Sequence, residues 1–306
     1  MTLTELRYIV AVARERHFGR AAEACFVSQP TLSVSIKKLE EELDVKIFER
    51  GASEVTVTPL GDEIVRQAQS VIEQASAIKE IAKRGKDQVS GPLRLGVIYT
   101  IGPYLLPDLV RQAIERVPQM PLMLHENVTA RLLDMLRTGE LDCAIMAEPF
   151  PDAGLAVAQL YDEPFMVAVP RRHALAKRRS IGAEELKQET MLLLGTGHCF
   201  RDHVLEVCPE YARFSSNAEG IRKSFEGSSL ETIKYMVASG MGVTVVPQLS
   251  VPKDAQPYVK YIPFEKPAPT RRVVLAWRRT FTRYEAIAAL RNAIYACPLE
   301  GVKRLS

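Results

Sequence analysis

The 306-residue sequence predicts a multi-domain α/β chain: a small helical domain closed by a hairpin, a long connecting helix, and a two-lobed α/β domain. Three observations carry this. Apolar residues recur at helical spacing in three short segments before residue 43, a near-heptad seam starts at Pro59, and strand and helix patterns alternate after residue 91. At roughly 150 residues per domain the length accommodates at least two cores. A composition of 47% apolar and 25% charged residues excludes wholesale disorder.

In the first segment Leu3, Leu6, Ile9, Val10 and Ala13 define one helix, Phe18, Ala21 and Ala22 a second, and Ser28-Gln29-Pro30 opens a third with a cap residue and an early proline. The third helix buries Leu32, Ile36, Leu39 and Leu43 and leaves Gln29, Thr31, Ser33, Ser35 and Lys37 largely off that stripe. A hairpin wing follows, with strands over 45–50 and 54–58 and a turn at Gly51-Ala52-Ser53. Pro59 then begins a long helix whose Leu60, Ile64, Ala68, Val71, Ala75 and Ile78 form a two-position seam that calls for a partner helix. The run Lys83-Arg84-Gly85-Lys86-Asp87 and Ser90-Gly91-Pro92 ends it. The expected domains are therefore 1–58, 59–90 and 91–306.

Beyond residue 91 the order is βαβαβ: Leu93–Tyr99, Pro103–Arg116, Leu122–Glu126, Ala130–Arg137 and Cys143–Met146, the mark of a parallel sheet. A second set starts afresh after Pro164, with strands at Phe165–Pro170, Met191–Leu194 and Val243–Val246, a short helix after Gly197 and another over Leu230–Ser239. A strand at Val273–Trp277 and a helix at Tyr284–Ala296 return to the first set. This predicts lobe I over about 91–162 and 268–306, and lobe II over about 163–267.

Charge says little about partners, since residues 1–58 hold eight Lys/Arg against nine Asp/Glu. The geometry says more. Two short helices joined at Cys25-Phe26-Val27, the second with a polar face, suit a helix-turn-helix that enters the roughly 12 Å wide major groove. No run approaches the roughly 18 apolar residues of a membrane span. Glu5 and Arg7 stand where a signal peptide would turn apolar, so the expected location is cytoplasmic, with no membrane partner.

The five cysteines form no C-x-x-C or zinc-like spacing, which argues against a disulfide framework. Cys25, Cys143 and Cys297 read as inert structural cysteines. Cys199 differs, because glycines precede a helix start there and His198, Arg201 and His203 surround it. A helix N-terminus and flanking cations should lower its pKa and populate the thiolate near neutral pH, the form that peroxide oxidises. If 199–208 is helical, Cys208 lies about 13.5 Å away along the axis, whereas a disulfide needs Cα atoms within roughly 7 Å. Oxidation would then force local refolding. His198 and His203 lack acidic companions at ligand spacing, so neither a metal nor a resident cofactor is expected.

The run FGRAAEACFVSQPTLSVSIKKLEEELDVKIFER with VTVTPLGDEI resembles the winged helix-turn-helix of LysR-type transcriptional regulators, and the likeness extends over essentially the whole chain. It implies a dimerising linker helix, a periplasmic-binding-protein-like effector domain, assembly into homodimers or homotetramers, and promoter DNA and RNA polymerase as partners. By this resemblance Ser28, Gln29, Pro30, Thr31 and Ser33 face double-stranded DNA and Arg50 reaches the minor groove. The segment GTGHCFRDHVLEVC, with YTIGPYLLP and SSLETIKYMVASGMGV, is similar to the peroxide-sensing branch of that family. That similarity implies a peroxidatic Cys199, a resolving Cys208, peroxide-orienting hydroxyls on Thr100 and Thr129, and reduction by a cellular thiol system such as glutaredoxin or thioredoxin. His198, Asp202 and Arg271 join the expected peroxide site, with Arg272 the alternative arginine. Two other readings stay open: a regulator whose cleft takes a small organic inducer, and a thiol peroxidase. A winged helix-turn-helix has no use in the latter, so an enzyme is not expected.

Overall fold

The computed structural model describes residues 1–50, 55–83, 88–151, 153–213, 224–227, 229–254 and 256–305. Helix α1 (Leu3–Glu15) opens on a reciprocal cap: Glu5 N donates to Thr2 Oγ1 at 3.2 Å and Thr2 N donates to Glu5 Oε2 at 2.7 Å. Helices α2 (Phe18–Ala24) and α3 (Gln29–Leu43) pack on it around Leu6, Ile9, Val12, Ala21, Leu32 and Ile36. Ser28 caps α3, its Oγ accepting from Thr31 N at 3.3 Å.

The wing is an antiparallel pair, β1 (Phe48–Arg50) and β2 (Val55–Val57). Its first strand begins at Phe48 rather than at residue 45 because the buried Glu40 carboxylate captures the backbone N–H of Ile47 at 2.8 Å and of Phe48 at 3.1 Å. The Gly51-Ala52-Ser53 turn lies outside the described residues, as does the Arg50 side chain.

Helix α4 (Pro59–Lys83) starts against the wing, where a Cβ on Gly61 would meet Ile47 O at 2.3 Å, so only glycine fits. Its apolar seam is partly used within the chain. Ala68 is buried in the core of the N-terminal domain and Ile64 and Val71 pack on it, while Leu60 and Ile78 stay 50% and 67% exposed and Ala75 is half-buried. Residues 84–87 of the expected 59–90 linker lie outside the described residues, and 88–92 lead into the first strand of the next domain.

Lobe I is built from β3 (Leu93–Ile98), α5 (Gly102–Arg116), β4 (Leu122–Asn127), α6 (Thr129–Arg137) and β5 (Cys143–Ala147), with β3 parallel to both β4 and β5. Strand β6 (Leu155–Pro170) runs sixteen residues through both lobes, so no new strand starts after Pro164. Pro164 marks the place where β6 changes partners instead, from β11 (Thr270–Arg278) to the lobe II strands. A residue without an N–H is tolerated at such a changeover.

Lobe II holds β7 (Met191–Leu194), α7 (Cys199–Val207), β8 (Ser224–Gly227), α8 (Leu230–Ala238), β9 (Thr244–Pro247) and β10 (Val259–Pro263). The chain returns through β11 to α9 (Tyr284–Ala296) and β12 (Lys303–Arg304) on lobe I. Each lobe has its own apolar core. Among the described residues no helix is long and apolar enough to cross a membrane.

The linker helix is fastened to lobe I by Glu73, which pairs with Arg278 Nε at 2.8 Å and accepts from Thr280 Oγ1 at 2.6 Å. Beside it a cavity of about 1120 Å³, lined by Arg14, Cys25, Asp142 and Arg278 among others, opens between the helical domain and lobe I. It shares no residue with the Cys199 surroundings described below. Because Glu40 satisfies two buried amides at the base of the wing, Glu40→Ala should lower the stability of the N-terminal domain by roughly 2–3 kcal/mol. Urea denaturation of the full chain followed by circular dichroism checks this, and a loss below about 0.5 kcal/mol would refute the role given to Glu40.

Candidate functional site

Strand β7 ends in Gly195-Thr196-Gly197, and Gly197 adopts φ +95°, a left-handed turn that suits glycine and lets the chain enter α7 at Cys199. Cys199 is half-buried and packs against the lobe I core, whereas Phe200, Val204 and Cys208 on the same segment belong to the lobe II core. Cys208 caps the C-terminus of α7, its N–H donating to Val204 O at 2.9 Å, and is fully buried. Both thiols are free. The sequence expectation of a helix spanning the two cysteines therefore holds for 199–207, with an axial rise of about 13.5 Å to Cys208.

Beside Cys199 stand the side chains of Thr129 and Arg271. Thr129 is the first residue of α6, and its buried hydroxyl lies beside the Cys199 thiol and lowers its pKa. Arg271, at the start of β11, is 2% exposed and donates from Nη1 to Thr100 Oγ1 at 2.7 Å and from Nη2 to Thr100 O at 3.0 Å. Its Nε donates to Glu163 Oε2 at 2.9 Å, and its guanidinium stacks 5.1 Å from the Phe200 ring. Arg272 pairs with Asp162 at 2.8 Å, and of the two arginines Arg271 is the one that acts on the Cys199 thiol.

The remaining expected groups behave differently. His198 is the backbone N-cap of α7, its ring 5.8 Å from that of Tyr99, and burial pushes its pKa down, so it adds no cation. The Arg201 side chain is buried and donates to Leu194 O at 2.9 Å. His203 hydrogen-bonds Glu148 O through Nε2 at 2.7 Å and is also held toward the neutral form by burial. Asp202 is exposed in the first turn of α7 and raises rather than lowers the thiol pKa.

For Cys199 itself burial is the largest effect and pushes the thiol up; the Thr129 hydroxyl, Arg271 and the Phe200 N–H oppose it without reversing it. The low pKa expected from the sequence is thus corrected for this reduced arrangement. The reason is physical: the helix sets Cys199 against apolar lobe I side chains, and the flanking cations are neutral or turned elsewhere. Cys208, buried and next to Glu210 and Glu184, is pushed up to about 12.

The helix-turn-helix presents a second surface. Ser28, Gln29, Pro30 and Thr31 are exposed and Ser33 is half-buried, with Ser28 Oγ and Thr31 Oγ1 2.8 Å apart. Lys37 and Lys38 are exposed further along α3.

Comparison with known proteins places both surfaces in context. The family "Bacterial regulatory helix-turn-helix protein, lysR family" matches residues 3–62, and "LysR substrate binding domain" matches residues 86–296. The chain belongs to the LysR-type family of transcriptional regulators. Among its LysR-type relatives is the hydrogen peroxide-inducible genes activator of Pectobacterium carotovorum, 40% identical over 94% of this chain and 95% of the relative. The DNA-binding transcriptional dual regulator OxyR of Escherichia coli K12 is 39% identical over 94% of each chain. A full-length Pseudomonas aeruginosa OxyR with a Cys-to-Asp substitution superposes with a TM-score of 0.80 at 52% identity, covering 97% of this chain and 96% of the other. A Corynebacterium glutamicum OxyR cysteine mutant described as hydrogen peroxide-bound has a TM-score of 0.62 at 32% identity over 96% of this chain and 91% of the other.

In this LysR-type chain sequence reasoning missed Glu163, which is fully buried, pairs with Arg271 at 2.8 Å and accepts Leu249 N at 2.8 Å. The signal was available: Glu163 falls on the inward side of β6 between Tyr161 and Phe165, and a charge there requires a partner. Also missed was a link between the lobes, Tyr104 Oη of α5 donating to Glu231 of α8 at 2.6 Å, a carboxylate that also accepts from Lys234 one turn along the same helix at 2.8 Å.

The raised thiol pKa has a testable sign. With Cys208 replaced by Ser, alkylation of Cys199 followed by peptide mass spectrometry should accelerate about tenfold per pH unit from pH 7 up to the ordinary cysteine value near 8.5. Arg271→Gln removes a lowering cation and should slow alkylation at pH 7. A rate that levels off near pH 6 would contradict this account.

Proposed function

We propose that the protein is a hydrogen-peroxide-responsive, DNA-binding transcriptional regulator in which Cys199 is oxidised and Cys208 resolves the product. What most supports the reading is one helix that sets Cys199 beside the buried Thr129 hydroxyl and Arg271 while its far end seals Cys208 in the other lobe's core. The printed descriptions of the relatives point the same way.

In the first step the Cys199 thiolate attacks one peroxide oxygen and the O–O bond breaks. The other oxygen leaves as hydroxide, which takes a proton to become water, and the sulfur becomes sulfenic acid. Thr129 is assigned to orient peroxide beside the thiol, and Arg271, fixed by Thr100 and Glu163, to stabilise charge on the departing oxygen. In the second step the Cys208 thiolate attacks the Cys199 sulfur, hydroxide leaves, and a disulfide forms. A cellular dithiol such as glutaredoxin or thioredoxin returns both thiols and is itself oxidised.

The remainder of the reading follows the chain's order. Residues 1–58 bind promoter DNA through Gln29, Pro30, Thr31 and Ser33, with Arg50 on the wing. Residues 59–90 link and help pair subunits through the exposed Leu60 and Ile78 of α4, with Ala75 adjoining; Ile64, Ala68 and Val71 serve the chain's own fold first. Residues 91–306 sense the oxidant. Assembly into dimers or tetramers, contact with RNA polymerase and work in the cytoplasm complete the proposal, and no turnover of a metabolite is part of it.

A sub-stoichiometric peroxide pulse with mass spectrometry of cysteine states tests the chemistry. Wild type should give the Cys199–Cys208 disulfide, Cys208→Ser a persistent or over-oxidised Cys199, and Cys199→Ser no response. Thr129→Val should slow the first step about fivefold to thirtyfold, the effect of losing one hydrogen bond of roughly 1–2 kcal/mol. Equal peroxide reactivity of Cys199 in Cys208→Ser and of Cys208 in Cys199→Ser, or rapid repeated peroxide consumption with a thiol reductant, would overturn the proposal.

A further inference from the structure

The DNA-facing side of α3 is not uniformly polar. Val34 is 68% exposed, and Phe26, three residues before the helix in a left-handed turn (φ +57°), is 96% exposed. A single exposed valine is ordinary on any protein surface; what matters is where this one stands. At 3.6 residues per turn, Pro30, Val34 and Lys37 point directly away from the buried Leu32, Ile36 and Leu39. Pro30 and Val34, one turn apart, therefore form the midline of the outward face. Thr31 and Ser33 flank that midline, and the exposed Lys37 and Lys38 follow it.

The sequence pattern drew attention to Gln29, Thr31 and Ser33 and passed over Val34. Yet a helix in the major groove presents its midline to the base edges and its flanks to the backbone. Of the groups a base pair displays there, the thymine C5-methyl is the one apolar group. A polar or charged group in place of Val34 would compete for hydrogen bonds with other bases. The branched hydrocarbon at this position has only the methyl to match it. The surrounding hydroxyls and lysines make the strip continuous with a nucleic-acid surface rather than with an apolar protein contact.

We infer that Val34, with Pro30 one turn before it, packs on thymine methyl groups in the major groove and so specifies thymine at those operator positions. The inference rests on the reading above that α3 enters the major groove. It deepens that reading by naming the base feature read and a residue that reads it.

The test uses full-length protein and a duplex selected by the wild-type chain from a random-sequence library. Each thymine is replaced singly by deoxyuridine, which removes the methyl and nothing else. At one or two positions per half-site the replacement should weaken wild-type binding about fourfold, the effect of losing one buried methyl. In Val34→Ala the replacement at the position that Val34 covers should lose its effect while one covered by Pro30 keeps it, and the salt dependence of binding should be unchanged because no phosphate contact is lost. The exposed position should let this variant fold normally, which its thermal unfolding checks.

The inference is overturned if no thymine is sensitive to methyl removal, or if every sensitive position stays sensitive in Val34→Ala or the sensitivity follows Phe26→Ala instead. A Val34→Ala protein whose oligomer mass falls together with its DNA affinity would assign the strip to subunit contact, which also overturns it. Gln29→Ala and Lys37→Ala separate the two levels. If both leave binding intact, α3 does not face DNA and the underlying reading fails; if both weaken binding while methyl removal has no effect, the methyl contact alone fails.

Discussion

A helix cannot bring its own ends together, and that constraint organises this molecule. Helix α7 holds Cys199 against lobe I and Cys208 inside lobe II, with Phe200 and Val204 between them in the lobe II core. The about 13.5 Å rise of nine helical residues is nearly twice the roughly 7 Å that a disulfide permits between Cα atoms. A disulfide between these two cysteines therefore requires α7 to unwind. Phe200, next to Cys199, packs edge-on against Phe165 at 5.1 Å between ring centres, a contact that holds the first turn of α7 on lobe II.

Buried polar links join the two lobes beside their separate apolar cores. Arg271 and Glu163 form an ion pair whose side chains are 1% exposed, and removing either would leave the other charge buried and uncompensated. Thr100 on lobe I joins this pair through two bonds from Arg271, and His203 of α7 binds Glu148 O next to β5. One strand carries both the residue at the cysteine site and the residue that fastens the linker helix, since β11 begins with Thr270-Arg271 and ends at Arg278, the partner of Glu73 on α4. The site and the connection to the N-terminal domain are thus built on the same rigid element of lobe I.

Much of this was legible in the sequence. Met191–Leu194 and Tyr284–Ala296 coincide with β7 and α9, and the start of α7 at Cys199 could be read from the glycines before it. What sequence patterns describe is local. The sixteen-residue β6 was legible only from Phe165 onward because its first half pairs with β11, more than a hundred residues away in the chain. The position of Glu163 opposite Arg271 depends on that same pairing, as does the choice between Arg271 and Arg272, which point to opposite faces of β11. The thiol pKa was misjudged for a related reason: His198, Arg201 and His203 are neighbours in sequence, but folding buries or redirects each of them. The α4 seam was likewise legible as a pattern, while its partial use by the chain's own α1 is a tertiary fact.

The central claim, that oxidation and refolding of α7 are one event, is tested most directly by amide hydrogen exchange across residues 199–208 before and after a stoichiometric peroxide pulse. The account predicts that protection of these amides is lost on oxidation of wild type and kept in Cys208→Ser, where no disulfide can form. Unchanged protection in the disulfide-bonded wild-type protein would contradict it.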